Sequence, residues 1–237
     1  MRKRINRPRF WQKVIPIPPH PLHTYAMNLK VAVVEDDNFM RAILSKSLDE
    51  DGVDIAFTAS TATEAVTLAK ETLIHVALLD LHLGKGPNGI DLANQLRKLY
   101  PKIGIVFLTS FDDPRLLAPG SEIPKDAVYL VKKNVTDLAL LTKTLYQAAL
   151  GRPSKTDDDA LFAKFTDTQI ETIRLVALGY SNAEIAKLRH ITPGSVENSV
   201  ARLAKSLGLD KDIAKNQRVH IAKVFFKSVG SGYLEQS

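Results

Sequence analysis

Five polar residues of this 237-residue chain each follow a short apolar run. They are Glu35 and Asp36 after "VAVV", Asp80 after "ALL", Thr109 after "IVFL" and Lys132 after "VYLV". Carboxylates that lie together repel one another, and this repulsion raises their pKa values. A small hard cation such as Mg²⁺ relieves that repulsion, because it binds carboxylate oxygens and keeps waters for other ligands. A carboxylate beside such a cation and an ammonium group can attack a phosphoryl group and hold it as an acyl phosphate, to which a hydroxyl could bond.

The apolar runs that precede these residues have the length and composition of buried strands. We predict strands in five segments: "LKVAVVE", "VDIAFTA", "HVALLD", "IGIVFLTS" and "AVYLVKK". Apolar residues at helical spacing lie between them, and "VTDLALLTKTLYQAAL" closes the series as a helix. Strands that alternate with helices predict an α/β fold, a doubly wound five-stranded parallel sheet with helices on both faces. The carboxyl ends of its strands meet at one edge, so the five polar residues are expected to converge there.

Residues 28–150 resemble the receiver domain of two-component response regulators, a flavodoxin-like fold. The resemblance rests on "VAVVEDD", "ALLDLHL", "IVFLTS" and "VYLVKK". It implies that Glu35 and Asp36 bind Mg²⁺ and that Asp80 is both phospho-acceptor and third ligand. The backbone carbonyl of His82 would be a further ligand. Lys132 would pair with the phosphoryl group. Two switch residues are implied as well: Thr109 would follow the phosphoryl group, and Tyr129 would be the aromatic residue that moves with the switch.

Two features depart from that family's pattern. Lys133 stands where proline usually follows the lysine of the fifth strand. Residues 111–127, "FDDPRLLAPGSEIPKDA", contain three prolines where the fourth helix is expected, so we predict a short or irregular helix there. Asp37 falls outside the ligand pair and is expected at the start of the first helix, where an acid suits the helix dipole.

The chain beyond residue 164 has the signals of a helical domain. "TDTQ" and "SNAE" are capping-box patterns that start at Thr166 and Ser181, and "TPGS" places Thr192 as the N-cap of a third helix. Gly179 and Gly208 are expected to end two of these helices. The third helix carries an apolar stripe, and the residues opposite or flanking that stripe are Ser195, Glu197, Asn198, Ala201, Arg202 and Lys205.

Asparagine and arginine on an exposed helix face can read bases or contact phosphates, although most polar helix faces are simply solvated. Residues 165–209 resemble the LuxR-type helix-turn-helix that follows receivers in the NarL/FixJ group, especially in "GYSNAEIA" and "ITPGSVENSV". The resemblance implies that the six residues of the third helix contact DNA. Glu197 departs from the pattern, because a basic residue is common there, and it could instead accept a hydrogen bond from cytosine.

The last predicted helix, "NQRVHIAKVFFKSV", carries more apolar surface than a four-helix module of this size needs. The resemblance implies that this helix pairs two modules, so we predict a homodimer on DNA. Packing of the helix onto its own domain or onto the receiver is the alternative.

Composition and charge limit the remaining possibilities. The chain has no cysteine, which excludes thiolate chemistry and disulfides and fits a cytoplasmic protein. It also has no apolar run long enough to cross a membrane. Residues 1–26 carry six basic residues and no acid and include "PIPPHPL", so we expect a disordered extension or an over-extended start, with a nucleic-acid arm as the alternative. Residues 151–164 are predicted to be a linker between a receiver at 27–150 and a helix-turn-helix domain at 165–237.

The sequence therefore predicts a transcription regulator in which a sensor histidine kinase phosphorylates Asp80 with Mg²⁺ and thereby changes binding to double-stranded DNA. An enzyme is not expected, because a phosphohydrolase of the dehalogenase type needs a second acid two residues after the nucleophile, where this chain has His82. A phosphorylation-independent regulator whose helical module binds a protein partner remains the alternative.

Overall fold

The structure is a computed structural model that describes residues 28–117, 124, 126–135, 137–152, 162, 164–208 and 216–229. The N-terminal extension therefore lies outside the described residues, as does most of the predicted linker. Among the described residues, no helix combines the length and apolar character needed to span a bilayer.

The predicted parallel sheet is confirmed. Its strands are β1 (Lys30–Val34), β2 (Asp54–Ala59), β3 (Val76–Leu79), β4 (Gly104–Thr109) and β5 (Val128–Val131). They lie in the order β2-β1-β3-β4-β5, and every neighbouring pair is parallel. The order turns back at β1, so the loops that follow β1 and β3 leave the sheet on opposite sides and open a crevice between them.

Both faces of the sheet are covered by helices. Helices α2 (Ala62–Ala69) and α3 (Gly89–Leu99) cover one face, and α1 (Asn38–Glu50) and α4 (Leu138–Ala149) cover the other. Within β1, Ala32 and Val34 belong to the first core, whereas Val31 and Val33 belong to the second, as the two-residue period of a strand requires. The central strands β1, β3 and β4 are buried almost throughout, which explains why they are continuously apolar in sequence.

The predicted helix starts are found where the sequence places them. Asp37 caps α1 by accepting a 2.7 Å hydrogen bond from the amide of Met40. Thr166 and Ser181 each form the expected capping box, and Thr192 caps the helix that begins at Pro193. Gly179 and Gly208 follow helices with φ of 88° and 72°, a conformation that glycine adopts without strain.

Between β4 and β5, where the sequence predicts a short or irregular helix, the described residues form a 3₁₀ turn. It spans Pro114–Leu116 and is capped by Asp113. Pro114 stands at the first position of this turn, where proline is tolerated, whereas Pro119 and Pro124 lack the amide donors that a longer helix would need. We call residues 111–117 the β4 loop.

The C-terminal domain contains α5 (Asp167–Ala177), α6 (Asn182–Leu188), α7 (Pro193–Ser206) and α8 (Gln217–Val229). We call it the output domain. Its core is formed by apolar residues of all four helices, among them Ile173, Ile185, Val200 and Phe225. The predicted domain boundaries stay predictions, although α4 ends at Ala149 and α5 begins at Asp167.

Candidate functional site

The polar residues that follow β1, β3 and β5 lie together at the carboxyl edge of the sheet. Lys132 Nζ is 2.8 Å from Glu35 Oε2 and 2.7 Å from Asp80 Oδ2. Glu35, Asp36 and Asp80 each place a carboxylate oxygen within 4.8 Å of the other two. Glu35 and Asp80 are buried, whereas Asp36 is half-buried, so the cluster is open to solvent on one side.

The charges in this cluster oppose one another. Burial raises the pKa of Glu35 to about 7, the charges of Asp80 and Asp36 add to this effect, and the hydrogen bond and charge of Lys132 counteract it. Burial would lower the pKa of Lys132, but the charge and hydrogen bond of Asp80, together with Glu35, raise it. One ammonium thus faces three carboxylates, and the excess negative charge favours a cation at this position.

The donor set suits a hard divalent cation. The three carboxylates offer only oxygen atoms, as Mg²⁺ prefers, and their separation allows one ion to contact all three. Glu35, Asp36 and Asp80 would hold the ion, which would supply positive charge to the oxygens of a phosphoryl group. The predicted role of the His82 carbonyl stays a prediction; the His82 amide donates to Asp80 Oδ1 at 3.3 Å, and its ring Nδ1 lies 3.8 Å from Asp36.

Arg41 is a supporting residue that the sequence did not indicate. Its guanidinium donates a 2.7 Å hydrogen bond to the backbone carbonyl of Glu35 and reaches Asn38 at 2.5 Å. These bonds fix the turn between β1 and α1, which carries the acidic pair. Only its place one turn into α1 could have suggested this role, and many exposed arginines occupy such positions.

Gly89 positions the loop that carries Asp80. A Cβ atom at Gly89 would lie 2.1 Å from the backbone oxygen of Asp80 and 2.9 Å from Cα of Leu81. The amide of Gly89 also donates to the Leu81 carbonyl at 2.8 Å. Helix α3 therefore approaches the end of β3 more closely than a residue with a Cβ atom at position 89 would permit.

The two predicted switch residues, Thr109 and Tyr129, each form a hydrogen bond with the backbone of Phe111. Thr109 is fully buried, and its Oγ1 accepts a 3.3 Å hydrogen bond from the Phe111 amide. The Tyr129 hydroxyl donates to the Phe111 carbonyl at 3.0 Å. Burial, followed by the charges of nearby aspartates, raises the pKa of Tyr129 above its ordinary value, so this hydroxyl stays a donor.

The polar face of α7 is open to solvent. Val196, Val200 and Leu203 are buried in the output domain. All six residues predicted to contact DNA are exposed: Ser195, Glu197, Asn198, Ala201, Arg202 and Lys205. Their contacts with DNA stay predictions, and the face that carries them is open to solvent.

Helix α8 packs mainly onto its own domain. Ile221, Phe225 and Val229 are buried there, and Val219 is 63% exposed. The packing alternative accounts for the buried residues, while the exposed valine leaves apolar surface available for a partner. Homodimerisation through α8 therefore stays a prediction.

Known proteins share this fold and parts of this sequence. A family model described as the response regulator receiver domain matches residues 31–145. The response regulator protein VraR of Staphylococcus epidermidis is 26% identical over 193 residues, which cover 76% of this chain and 91% of VraR. VraR of Staphylococcus aureus is 26% identical over 191 residues, with the same coverage.

Two solved structures extend the similarity across both domains. A structure of the two-component response regulator RcsB with DNA covers 83% of this chain and 98% of that chain, with a TM-score of 0.55 and 21% identity. A structure of two RcsB dimers bound to two parallel DNAs gives the same coverage, a TM-score of 0.56 and 20% identity. At these identities the comparison establishes the fold.

Proposed function

This chain is a two-component response regulator whose receiver domain includes residues 31–145, and from this premise we propose that phosphorylation of Asp80 controls DNA binding by the output domain. The observation that carries the proposal is the position of Asp80. It is a buried carboxylate at the carboxyl edge of the sheet, 2.7 Å from an ammonium and beside two further acids.

The side chains around Asp80 suit phosphoryl transfer. One carboxylate oxygen of Asp80 attacks the phosphorus of the donor, the bond from phosphorus to the donor breaks, and the donor leaves with that electron pair. The product is an acyl phosphate on Asp80. Lys132 pairs with its negative oxygens, and the Thr109 hydroxyl, one strand away, turns towards it. Glu35, Asp36 and Asp80 would hold Mg²⁺, and the ion would supply positive charge that stabilises the phosphoryl oxygens.

A sensor histidine kinase is the proposed donor, because the receiver takes its phosphoryl group from a histidine in such systems. Residues 27–150 supply the acceptor, and residues 165–237 supply the output. The predicted order of domains, with a linker at 151–164, makes the output depend on contacts between the two.

DNA is the proposed target of the output domain. The exposed face of α7 presents one amide and two cations, and helices of this kind enter the major groove in helix-turn-helix proteins. By sequence count residues 165–237 carry a net charge of +3, from 10 basic and 7 acidic residues. This modest charge predicts weak binding by one copy, since phosphate neutralisation supplies most non-specific affinity. The RcsB dimers seen with DNA support a two-fold mode of binding.

The proposal is tested by selecting DNA from random genomic fragments with the wild type and with Asp80→Asn. Each protein is used with and without Mg²⁺ and acetyl phosphate, and intact mass reports addition of one phosphoryl group. We expect the wild type alone to gain the phosphoryl group and to change its enrichment of fragments. Equal enrichment by both proteins in all conditions would contradict control by Asp80. Enrichment of no fragment in any condition would contradict DNA as the target and favour a protein partner.

A further inference from the structure

Asp36 is the least buried member of the acidic cluster, and its position depends on the backbone that carries it. Glu35 and Asp80 are buried and both accept from the Lys132 ammonium, at 2.8 Å and 2.7 Å. The Asp36 carboxylate instead lies 3.8 Å from Nδ1 of the His82 ring, a distance too long for a hydrogen bond. The turn that follows β1 must therefore place this ligand.

Arg41 binds the turn between β1 and α1, residues 35–38, which we call the acidic turn. Its guanidinium donates to the carbonyl of Glu35 at 2.7 Å and, more weakly, to that of Asp36 at 3.5 Å. A second nitrogen of the same group donates to Asn38 Oδ1 at 2.5 Å. A guanidinium can bind both ends of the turn because its donors form a rigid planar fork, whereas a lysine ammonium is a single point.

The acidic turn is also tied to the end of β2. The Glu35 amide donates to the Ala59 carbonyl at 3.1 Å. The amide and hydroxyl of the next residue, Ser60, donate to Glu64 Oε2 at 2.7 Å and 2.9 Å. These two bonds lower the pKa of Glu64, and the positive charge of Arg41 contributes to the same shift. Arg41 therefore lies near both of the loops that follow β1 and β2.

The Arg41 guanidinium acts on the backbone of the site rather than on its carboxylates. Its bonds to the acidic turn end on two carbonyl oxygens and one amide oxygen, whereas the cation that contacts the carboxylates of Glu35 and Asp80 is Lys132. A cation on the carboxylates competes with a metal ion, but a cation behind them leaves their oxygens available. The contacts of Arg41 thus suit a residue that positions metal ligands.

Magnesium is sensitive to the placement of its ligands. It requires near-octahedral geometry with bonds of about 2.0–2.1 Å, whereas Ca²⁺ accepts more ligands, at about 2.3–2.6 Å, in irregular arrangements. Replacing a residue that orients metal ligands typically changes metal affinity or activity by about 10–100-fold. A loosened acidic turn should therefore weaken the binding of Mg²⁺ more than the binding of Ca²⁺.

We propose that Arg41 is a positioning residue that holds the acidic turn in the geometry required by Mg²⁺. It thereby sets the affinity of the site for Mg²⁺ and its preference for Mg²⁺ over Ca²⁺. Without the guanidinium fork the turn is ordered only when the ion binds, and that ordering weakens the binding. The inference rests on the Mg²⁺ site of the proposed function, but it does not require that Asp80 be phosphorylated.

The test uses three variants of the full chain and a matched control. Arg41→Ala removes the fork, and Arg41→Lys keeps the charge but supplies a single ammonium. Asn38→Ala removes one acceptor of the fork at an exposed position. Arg97→Ala is the control, because Arg97 is also a half-buried arginine that donates to a loop carbonyl, that of Pro101 at 3.2 Å, but it lies in the last turn of α3.

Metal binding is measured by following amide resonances of the ¹⁵N-labelled protein during titration with Mg²⁺ and, separately, with Ca²⁺. We expect the Kd for Mg²⁺ to rise roughly tenfold in Arg41→Ala and in Arg41→Lys. The Kd for Ca²⁺ should rise by a smaller factor in both. Asn38→Ala should change both values in the same direction but less, and Arg97→Ala should match the wild type.

Phosphorylation by acetyl phosphate separates metal affinity from the transfer step. In Arg41→Ala the Mg²⁺ concentration that gives half the maximal rate should rise by the same factor as the Kd. The rate at saturating Mg²⁺ should stay close to that of the wild type, because Asp80 and Lys132 are unchanged. A general disruption of the fold would lower the maximal rate as well. If Arg41→Ala fails to fold, Arg41→Lys and Asn38→Ala carry the same test.

The outcomes separate this inference from the proposed function. Unchanged Kd values in the Arg41 variants would overturn the inference, and the proposed function stands if the wild type still gains the phosphoryl group. A wild-type Kd for Mg²⁺ in Arg41→Lys alone would show that charge suffices and would overturn positioning by the fork. Equal losses for Mg²⁺ and Ca²⁺ would overturn the role in selectivity. Weaker Mg²⁺ binding by Arg41→Ala, in a protein whose wild type gains no phosphoryl group, would support the inference and contradict the proposed function.

Discussion

Lys132 Nζ lies 2.8 Å from Glu35 Oε2, although the two residues are 97 positions apart in the chain. The pair joins the ends of β1 and β5, which flank the β3 and β4 ends in the sheet. The same ammonium is 2.7 Å from Asp80. The Lys132 ammonium therefore binds a cluster that has more negative than positive charge. This excess negative charge determines how the stability and the chemistry of the site should respond to pH and to substitution.

Glu35 should make the metal-free protein less stable as pH rises. Its pKa is raised from 4.5 to about 7 by burial and by its acidic neighbours. The contribution of Glu35 to stability is therefore fully present below pH 4.5 and is lost as pH rises through about 7. We expect a loss on the order of 2 kcal/mol between pH 5 and pH 8, which lowers Tm by roughly 5 °C.

The measurement is thermal unfolding from pH 5 to pH 8 with EDTA, for the wild type and Glu35→Gln. The glutamine variant should lack this fall, because it carries no titrating group at that position. Adding Mg²⁺ at pH 8 should raise Tm more for the wild type than for the variant. Parallel pH profiles for the two proteins would contradict the prediction.

Replacing Lys132 by alanine should weaken both the fold and the chemistry. The substitution leaves Glu35 and Asp80 buried without their counter-ion, and we expect a loss of about 2–3 kcal/mol. This value is below that of a fully buried pair because the Lys132 side chain is 20% exposed. Phosphorylation by acetyl phosphate should slow at least tenfold, since the product loses its cationic partner.

Lys30→Ala is the control for this substitution. Lys30 pairs with Asp54 at 3.3 Å at the opposite end of β1, and both side chains are about one-third exposed. Its loss should change stability by about 1 kcal/mol or less and leave the phosphorylation rate unchanged. Urea unfolding and intact-mass kinetics report the two quantities, and equal effects of both substitutions would show that Lys132 has no special role.

Gly89→Ala should disturb Asp80 without touching any polar side chain. The added Cβ would lie 2.1 Å from the Asp80 carbonyl oxygen, so α3 or the end of β3 must shift. We expect a loss of about 2–3 kcal/mol, as for overpacking, together with slower phosphorylation.

Gly194→Ala is the matched substitution, because a Cβ there meets nothing within 4 Å. It should leave stability unchanged or raise it by up to about 1 kcal/mol. Urea unfolding compares the two variants, and a Gly89→Ala protein as stable as Gly194→Ala would show that the close approach is not required.

Arg202 and Lys205 should contribute to DNA affinity through phosphates. Both are exposed on the α7 face, and the double alanine variant should reduce the slope of log affinity against log salt by about 2. Binding to a selected fragment is measured at several salt concentrations. The control is Lys98→Ala with Lys143→Ala, which removes two exposed charges from the receiver. An equal fall in slope for both double variants would indicate a general charge effect and contradict a role of this face.

The sequence by itself determined the elements of this protein and the residue types at their ends. Apolar runs of strand length and apolar residues at helical spacing predict the βα order, because burial on both faces demands continuous hydrophobicity in the strands. Helix starts at Asp37, Thr166 and Ser181 were predictable, since capping depends on residues only three positions apart. The convergence of Glu35 and Asp80 followed from parallel topology, which brings strand ends to one edge.

Only the tertiary structure decided how distant parts of the chain contact one another. Arg115 meets the carbonyl of Phe165 across 50 residues, and the Asp112 amide meets Ser228 across a still longer separation. No local pattern specifies such contacts, because a backbone carbonyl is offered by every residue and the choice among them depends on how two domains pack. The three prolines after β4 predict that a helix is disrupted, but packing alone turns the disrupted segment into an interface.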